Sequence, residues 1–291
     1  MAQDNVIKDS RQFYELADRL GDILVEMGAL TPTDVDKIVQ VQQKTGASFG
    51  QIAVERRFVS QRDVQVALSR QFNYAQLLDG DMPNVSKELV IALKPFERDA
   101  EIFRFLRGSV VTSHIDKGEP YIAITGAEAK VGASYVAANL AVSLAQLGRR
   151  TLLIDANLRR PRIRRIFGID NKFGLSEVLV GRVSASAVIM SNLIENLSVL
   201  CAGNVPPNPQ ELLGGRQFKE LFEELAGHYE VIVADTTGGP QIADASFVWG
   251  HCRNVLMVAR RHSSSFDNVQ ALADMTKDCS AKVIGCVLNS Y

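Results

Sequence analysis

The sequence predicts an α/β protein in which a parallel-sheet domain follows a small, mostly helical tandem-repeat domain. Two observations support this prediction. Apolar runs recur through the C-terminal two thirds with helical patterns between them, and the N-terminal part contains an internal repeat. Continuous Val, Ile and Leu runs are typical of parallel strands that are buried on both faces. The runs lie at residues 122–125, 151–155, 197–201, 230–235, 254–259 and 282–287.

The composition is that of an ordinary globular chain. Its 291 residues are 46% hydrophobic and 22% charged, with a formal net charge of −1, so nucleic acid is not an expected partner. No apolar run approaches the ~18–20 residues of a membrane span, and the N-terminus has no apolar signal core. We therefore expect a cytoplasmic protein without a membrane span of its own, and free thiols at its four cysteines.

A phosphate-binding loop is predicted after the first apolar run. The strand-like residues 121–125 meet a loop of small residues, and a helical pattern then continues until Gly148. Strand, tight loop and helix are the layout in which backbone N–H groups and the positive helix end attract anionic oxygens. The motif Gly-x4-Gly-Lys-Ser/Thr is altered, however. The degenerate nucleotide-binding candidates are Ala127 at its first glycine, Gly132 and Ser134 in their usual places, and Ala133 at the lysine position.

The repeat occupies residues 19–42 and 48–71, two stretches of 24 residues with a five-residue spacer. Each stretch predicts two short helices. We expect Thr31 with Asp34, and Ser60 with Asp63, to cap the second helix of each pair. The predicted domain organisation is a helical domain at 12–82, a linker at 83–95 where turn residues accumulate, and the sheet domain at 96–291.

The repeat resembles the MshEN domain, the N-terminal cyclic di-GMP-binding domain of type II secretion and type IV pilus ATPases. The first stretch matches that family's motif, and the resemblance implies a cyclic di-GMP candidate site at Arg19, Leu20, Gly21 and Gln42. The second stretch departs from it at Ser48, Phe49 and Arg57. The alternative is a helical docking module that binds no dinucleotide.

Residues 96–291 resemble the cytoplasmic domain of bacterial tyrosine autokinases (BY-kinases) of capsule and exopolysaccharide assembly. These belong to the deviant-Walker P-loop ATPases, together with MinD and ParA. The Walker A′ segment reads LLIDANLRRP at 152–161. The Walker B segment reads VIVADTTGGPQIADA at 231–245, with Thr237 and Gly238 where the family usually has two prolines. GNVPPNPQELL and GCVLN also match. The resemblance implies a Mg²⁺ site at Ser134, Asp155 and Asp235, with both aspartates as vestigial catalytic residues.

The same family joins subunits into a ring through an E-x2-R-x2-R helix, which Glu101, Arg104 and Arg107 match. The resemblance therefore implies a homo-oligomer, and a separate membrane polysaccharide co-polymerase as the partner that brings the chain to the inner membrane. The alternative for these three residues is a solvated charged stripe.

Several elements of kinase chemistry are changed together. Ala133 removes the phosphate-binding lysine, Asn157 replaces the second Walker A′ aspartate, and a single Tyr291 stands where the family has a tyrosine cluster. Glu128 is expected to place a carboxylate near the phosphates. Lys130 and Val131 replace residues of the glycine-rich loop, so we expect its positive-φ positions to be lost.

These changes favour a regulatory or scaffolding pseudokinase, for which ATP and Mg²⁺ are weak candidate ligands and cyclic di-GMP is a candidate effector. One alternative is an active tyrosine kinase in which Lys130 replaces the missing amine. Another is a positioning ATPase of secretion or pilus machinery. An arginine cluster at positions 159, 160, 162, 164 and 165 predicts either a dock for an acidic or phosphorylated group or a solvated helical turn.

Overall fold

The computed structural model describes residues 20–71, 84–95, 97–239 and 242–290, apart from the side chain of Gln65. The described residues fall into two compact units, one within Met1–Gln76 and the other within Leu77–Tyr291. Arg19 and Tyr291, both named above, lie outside the described residues. Among the described helices, none has the length and apolar character that crossing a membrane requires.

The N-terminal unit consists of two helix pairs, as the repeat predicts. Residues 20–26 (α1) are helical, followed by α2 (Pro32–Thr45), α3 (Phe49–Glu55) and α4 (Gln61–Gln71). The predicted caps of α2 and α4 are confirmed. The Asp34 N–H donates to Thr31 Oγ1 at 3.3 Å, and the Asp63 N–H donates to Ser60 Oγ at 3.1 Å.

Both helix pairs pack through a glycine at the same repeat position. A Cβ atom on Gly21 would lie 3.1 Å from Val35 Cγ1, and one on Gly50 would lie 2.9 Å from Val64 Cγ1. The helices approach too closely for a larger residue. The core of this unit also contains Phe49, 4% exposed, at the position of Leu20 in the first repeat. The departure from the repeat at Phe49 therefore preserves the core.

The C-terminal unit is a seven-stranded sheet covered by helices, with strand order β3-β4-β2-β5-β1-β6-β7. Its strands are β1 (Tyr121–Gly126), β2 (Thr151–Asp155), β3 (Met190–Ile194), β4 (Leu197–Leu200), β5 (Val231–Asp235), β6 (Asn254–Arg260) and β7 (Lys282–Asn289). Its helices are α5 (Val90–Leu93), α6 (Arg98–Ser113), α7 (Ala133–Ala145), α8 (Ile163–Ile166), α9 (Leu175–Leu179), α10 (Ala185–Val188), α11 (Pro209–Leu213), α12 (Arg216–His228), α13 (Ile242–Cys252) and α14 (Phe266–Asp278).

The sheet is parallel except at one edge. All six predicted runs form strands, and every pair is parallel apart from β3 with β4. Strand β3 was not predicted, because only one of its five residues is buried and it lacks a continuous apolar run. The fold class predicted from the sequence is confirmed for this unit.

Residues 84–95, which the sequence assigned to a linker, are part of the second unit. The Ser86 N–H donates to the Ile166 carbonyl at 2.9 Å, and the Ile91 N–H donates to Asn139 Oδ1 at 3.1 Å. The Asn139 amide also donates to the Glu88 carbonyl at 2.8 Å. This segment is therefore held by side chains far away in sequence, which the local abundance of turn residues does not reveal.

The three central strands bring the candidate residues to one edge of the sheet. Strand β5 lies between β2 and β1, and the register pairs Asp155 with Asp235. The hydroxyls of Thr125 and Thr236, which are 2.6 Å apart, join the ends of β1 and β5. The carboxyl ends of these strands thus form the site that the sequence predicted.

Candidate functional site

The loop after β1 keeps the backbone shape of a phosphate cradle despite its altered sequence. Its first amide, that of Ala127, donates to the Val258 carbonyl at 2.8 Å, and α7 begins at Ala133. Positive φ angles occur at Lys130, +65°, and at Gly132, +98°. The expectation that the positive-φ positions are lost is therefore wrong, because Lys130 adopts one without being a glycine. A non-glycine residue in that conformation costs roughly 1–2 kcal/mol.

A second loop lies directly against this cradle. A Cβ atom on Gly238 would lie 2.5 Å from the Gly126 carbonyl oxygen, and one on Gly126 would lie 2.7 Å from the Glu128 carbonyl oxygen. Both neighbours are backbone atoms, so neither can move aside cheaply. Gly238 permits this close approach because it has no Cβ atom.

Glu128 caps a helix and also lines the cavity at the phosphate loop, so the expected carboxylate near the phosphates stays a prediction. Its carboxylate accepts hydrogen bonds from the Ser265 N–H at 3.1 Å, from Ser264 Oγ at 3.2 Å and from Asn268 Nδ2 at 2.7 Å. Ser265 is the N-cap residue of α14. These hydrogen bonds, the strongest of them from Asn268, lower the pKa of Glu128. Glu128 thus fastens the phosphate loop to α14.

The two aspartates at the strand ends are buried side by side, and they differ in their hydrogen bonds. Asp155 accepts the backbone N–H groups of Asn157 at 3.2 Å, Arg162 at 3.1 Å and Ile163 at 3.0 Å. Neither carboxylate oxygen of Asp235 has a hydrogen-bond partner among the described residues. Asp155 therefore also organises the turn after β2, a role that the sequence analysis did not assign to it.

Burial changes the protonation of both carboxyl groups. It raises the pKa of Asp155 to about 7, although the three backbone N–H groups act in the opposite direction. Burial and then the charge of Asp155 raise the pKa of Asp235 well above its ordinary value. Two carboxylates in one water-poor site disfavour their joint ionisation.

The side chains of Ser134, Asp155 and Asp235 have the oxygen donors that a Mg²⁺ ion requires. Ser134 is 7% exposed at the start of α7, and the unpartnered oxygens of Asp235 are hard oxygen donors of the kind that Mg²⁺ prefers. Mg²⁺ retains several waters and binds protein through one or two carboxylates, so the described residues need no further acidic ligand. A divalent cation would also offset the repulsion between Asp155 and Asp235.

A cavity of about 540 Å³ opens above the loop and is strongly cationic. Two of the predicted arginines that line it are ion-paired. Arg159 Nε lies 2.5 Å from Asp244 Oδ2, and Arg162 Nη2 lies 2.7 Å from Glu88 Oε1. The cationic residues that line the cavity are Lys130, Arg159, Arg160, Arg162, Arg165 and Arg260. The sequence analysis missed Arg260, although its position directly after an apolar run predicts that it lies at a strand end.

Ala133 and Asn157 both line the same cavity. Ala133 is the first residue of α7 and carries only a methyl group where the motif has its lysine. Asn157 Oδ1 accepts the Arg160 N–H at 3.1 Å, so this side chain supports the arginine-rich turn. The cavity keeps the cradle and the Ser134 hydroxyl but has no cation at the start of α7.

Two members of the predicted assembly triad contact their own unit. Arg107 Nη1 donates to the Ser143 carbonyl at 2.9 Å, and Arg104 bonds both Glu101 and the Pro95 carbonyl. The side chain of Glu101 is 66% exposed. The largest exposed apolar side chains of α6 are Ile102 and Phe105, at 54% and 82%.

Of the cyclic di-GMP candidates, Arg19 lies outside the described residues. Leu20 is in the core of the N-terminal unit, and Gly21 packs against Val35. Gln42 is half-buried in the last turns of α2. Leu20 and Gly21 therefore have structural roles that do not require a ligand.

The parallel sheet, the loop at β1 and the carboxylates at the ends of β2 and β5 define a P-loop protein of the deviant-Walker class. The chain is 34% identical over 196 residues to a putative tyrosine-protein kinase, CapB of Staphylococcus aureus, covering 67% of this chain and 86% of that protein. The crystal structure of the chimerical protein CapA2B2 matches with a TM-score of 0.66 and 31% identity, over 76% of this chain and 96% of that chain.

The chain belongs to the family of bacterial tyrosine-protein kinases. The fold is also that of the septum site-determining protein MinD of Pyrococcus horikoshii, solved with Mg-ADP. That match has a TM-score of 0.51 and 24% identity, and it covers 58% of this chain and 69% of MinD. No protein-family model matches the chain.

Proposed function

We propose that this chain is a regulatory or scaffolding pseudokinase of exopolysaccharide biosynthesis and export. The observation that supports this most directly is Ala133, whose methyl group lines the cavity at the start of α7. The rest of the cradle is retained. The proposed protein therefore binds nucleotide phosphates with Mg²⁺ but transfers the phosphoryl group inefficiently.

The retained parts have separate tasks in this proposal. Backbone N–H groups of the loop and the N-terminus of α7 attract phosphate oxygens. Ser134, Asp155 and Asp235 would hold Mg²⁺, which when bound neutralises charge on the phosphates. Position 133 has no amine that could stabilise the negative charge that develops on the terminal phosphoryl group during its transfer. Losing one such stabilising group costs about 3–4 kcal/mol, or ~10²–10³ in rate.

Restoring the lysine tests the proposal. Ala133→Lys is expected to raise ATP hydrolysis or autophosphorylation by ~10²-fold, because the loop backbone, Ser134, Asp155 and Asp235 are already in place. Ala187→Lys, which adds the same charge at an exposed position of α10 that does not line the cavity, is the matched control and should give little gain. Efficient autophosphorylation by the unchanged protein that disappears in Asp155→Ala would contradict the proposal and favour the active kinase with a displaced lysine.

The same proposal includes the location of the protein, its self-assembly and its binding partner. The protein is cytoplasmic, forms a homo-oligomeric ring through α6, and reaches the inner membrane by binding a separate polysaccharide co-polymerase. The family assignment and the exposed apolar side chains of α6 support this view. Co-purification with a co-polymerase encoded beside it, and its loss when α6 is altered, would test the interaction.

We assign the N-terminal unit, residues 12–82, as an MshEN-like domain that makes the protein responsive to cyclic di-GMP. The two similar helix pairs, with Gly21 and Gly50 at equivalent positions, support this assignment. Calorimetry with cyclic di-GMP should show binding that weakens in Arg19→Ala and Gln42→Ala. Absence of binding by the unchanged chain would leave the unit as a helical docking module.

A further inference from the structure

The loss of the lysine at position 133 raises the question of which cation contacts the phosphates. Of the six cationic residues that line the cavity, Arg159 and Arg162 are held in ion pairs with Asp244 and Glu88. Arg160 lies in the turn after β2 and Arg165 lies in α8, and both are exposed. Lys130 and Arg260 are the cavity-lining cations on the β1 and β6 side.

These two residues differ in how firmly their backbones are held. Lys130 is exposed in the middle of the loop, with a left-handed backbone. Arg260 is half-buried and ends β6, the strand that pairs with β1. The Ala127 N–H bonds the Val258 carbonyl at 2.8 Å, so Arg260 follows two residues after a direct hydrogen bond to the phosphate loop. A cation on a strand end is better positioned than one on a loop.

Two further connections fasten the end of β6 to the loop. The Arg260 N–H donates to Ser264 Oγ at 3.0 Å, and Ser264 Oγ donates to Glu128 Oε2 at 3.2 Å. On the other side Asn289, which is in register with Arg260, donates from Nδ2 to the Val131 carbonyl at 3.0 Å. Glu128 and Asn289 therefore hold the loop on either side of the backbone that carries Arg260.

We infer that Arg260 is the phosphate-binding cation of this cavity, in place of the absent lysine, and that Glu128 positions it through Ser264. A guanidinium can form two parallel N–H···O hydrogen bonds with a phosphate, so it replaces the charge of a lysine with a different geometry. It binds phosphate from the end of β6 rather than from the start of α7. Binding is therefore retained, while the lysine's contact with the transferring group is not. The inference rests on the proposal that the cavity binds nucleotide phosphates.

The test is calorimetric titration of the full chain with Mg-ADP and with magnesium pyrophosphate. Arg260→Met should weaken both ligands by at least about tenfold, because a charge-assisted bidentate contact is lost. Arg260→Lys should recover part of that loss. Arg182→Met removes a cation from an exposed position that does not line the cavity, and it should change neither affinity. Lys130→Met should lose less affinity than Arg260→Met.

Two further variants separate the inference from the proposal beneath it. In an Ala133→Lys background, Arg260→Met should cost much less, because the restored lysine supplies the charge. Glu128→Gln should weaken pyrophosphate binding. Adding Arg260→Met to Glu128→Gln should cause little further loss of affinity, because Glu128 acts through Arg260. If Glu128 had only a structural role, the two losses of affinity would add.

Unchanged affinity in Arg260→Met, with binding retained by the unmodified chain, would overturn the inference alone. A larger loss in Lys130→Met would overturn it too, in favour of the lysine. If neither the unmodified chain nor Ala133→Lys bound Mg-ADP or pyrophosphate, both the phosphate cavity and the role of Arg260 would be refuted.

Discussion

Gly28 and Arg57 occupy equivalent positions after two corresponding helices, and both have a left-handed backbone, with φ of +71° and +59°. The hydrogen bonds that follow are also equivalent. The Ala29 N–H bonds the Leu24 carbonyl and the Phe58 N–H bonds the Ala53 carbonyl, both at 2.9 Å. Such helix ends favour glycine, so Arg57 retains the geometry of the repeat at a steric cost.

Replacing Arg57 by glycine should therefore stabilise the N-terminal unit. Relief of the left-handed strain, about 1–2 kcal/mol, exceeds the extra flexibility that glycine gives the unfolded chain. We expect a net gain of about 0.5–1 kcal/mol in the free energy of unfolding, measured by urea denaturation of the full chain. Gly28→Ala is the control and should destabilise by a similar amount. A destabilised Arg57→Gly protein would show that the side chain of Arg57 contributes more than its backbone strain costs.

A methyl group on Gly238 should disrupt the phosphate cradle. It would lie 2.5 Å from the Gly126 carbonyl oxygen, and because both groups are backbone, the loop must move. We expect Gly238→Ala to destabilise the protein by about 2 kcal/mol or more and to weaken pyrophosphate binding.

The control for this substitution is Gly108→Ala. Gly108 is exposed within α6 and an added Cβ meets no atom within 4 Å, so the change should be neutral or stabilising. Equal stability of the two variants would mean that the loops can separate at little cost.

Asp235→Asn should make the protein less sensitive to alkaline pH. The pKa of Asp235 in the folded chain is raised well above its ordinary value of 3.8, and that of Asp155 is raised to about 7. A carboxyl group whose pKa is raised on folding contributes stability that is fully present at pH values below its unfolded-state pKa. That stability is lost as the pH rises through its folded-state pKa. The metal-free protein should therefore be less stable at pH 8 than at pH 6.

The asparagine cannot ionise, so in Asp235→Asn the difference in unfolding free energy between pH 6 and pH 8 should be smaller by about 1–2 kcal/mol. Added Mg²⁺ should stabilise the unmodified protein at pH 8 more than it stabilises this variant, as measured by thermal denaturation. The site assignment would be wrong if the unmodified, metal-free protein gained stability from pH 6 to pH 8 while Asp235→Asn did not.

Asn139 should be necessary for the docking of residues 84–95. Its fully buried amide group bonds the Ile91 N–H, the Glu88 carbonyl and the Tyr135 carbonyl. Asn139→Ala leaves the Ile91 and Glu88 groups without these partners, at an expected cost of about 2–4 kcal/mol. Hydrogen exchange at the Ile91 amide should accelerate. Unchanged exchange there would show that other contacts suffice to hold the segment.

Phe105→Asp should reduce self-association without reducing stability. Phe105 is 82% exposed on α6, whereas Arg107 bonds the Ser143 carbonyl of its own unit. Analytical ultracentrifugation should show smaller species for Phe105→Asp at an unchanged melting temperature. Arg107→Ala should instead lower the melting temperature by a few degrees. If Phe105→Asp assembled like the unmodified chain, the proposed ring interface would not include this face of α6.

Several features could be predicted from local sequence alone. The six apolar runs specify strands because burial on both faces requires continuous apolar residues. The caps at Thr31 and Ser60 follow from short-range hydrogen bonding, and the repeat follows from spacing. Asp155 and Asp235 follow from their places at the ends of apolar runs and Ser134 follows from the phosphate-loop motif, whereas their Mg²⁺ role was implied by the family resemblance.

Other features depend on contacts between distant residues. Glu128 bonds Asn268, 140 positions away, and this contact makes the cavity-lining carboxylate part of a helix cap as well. Arg260 enters the cavity because β6 pairs with β1, and the strand order is a property of the whole sheet. The missing lysine is visible in the sequence by itself. Which cations surround the vacated position was decided only by the packing of strands and helices, because side chains are brought together by topology that local periodicity does not contain.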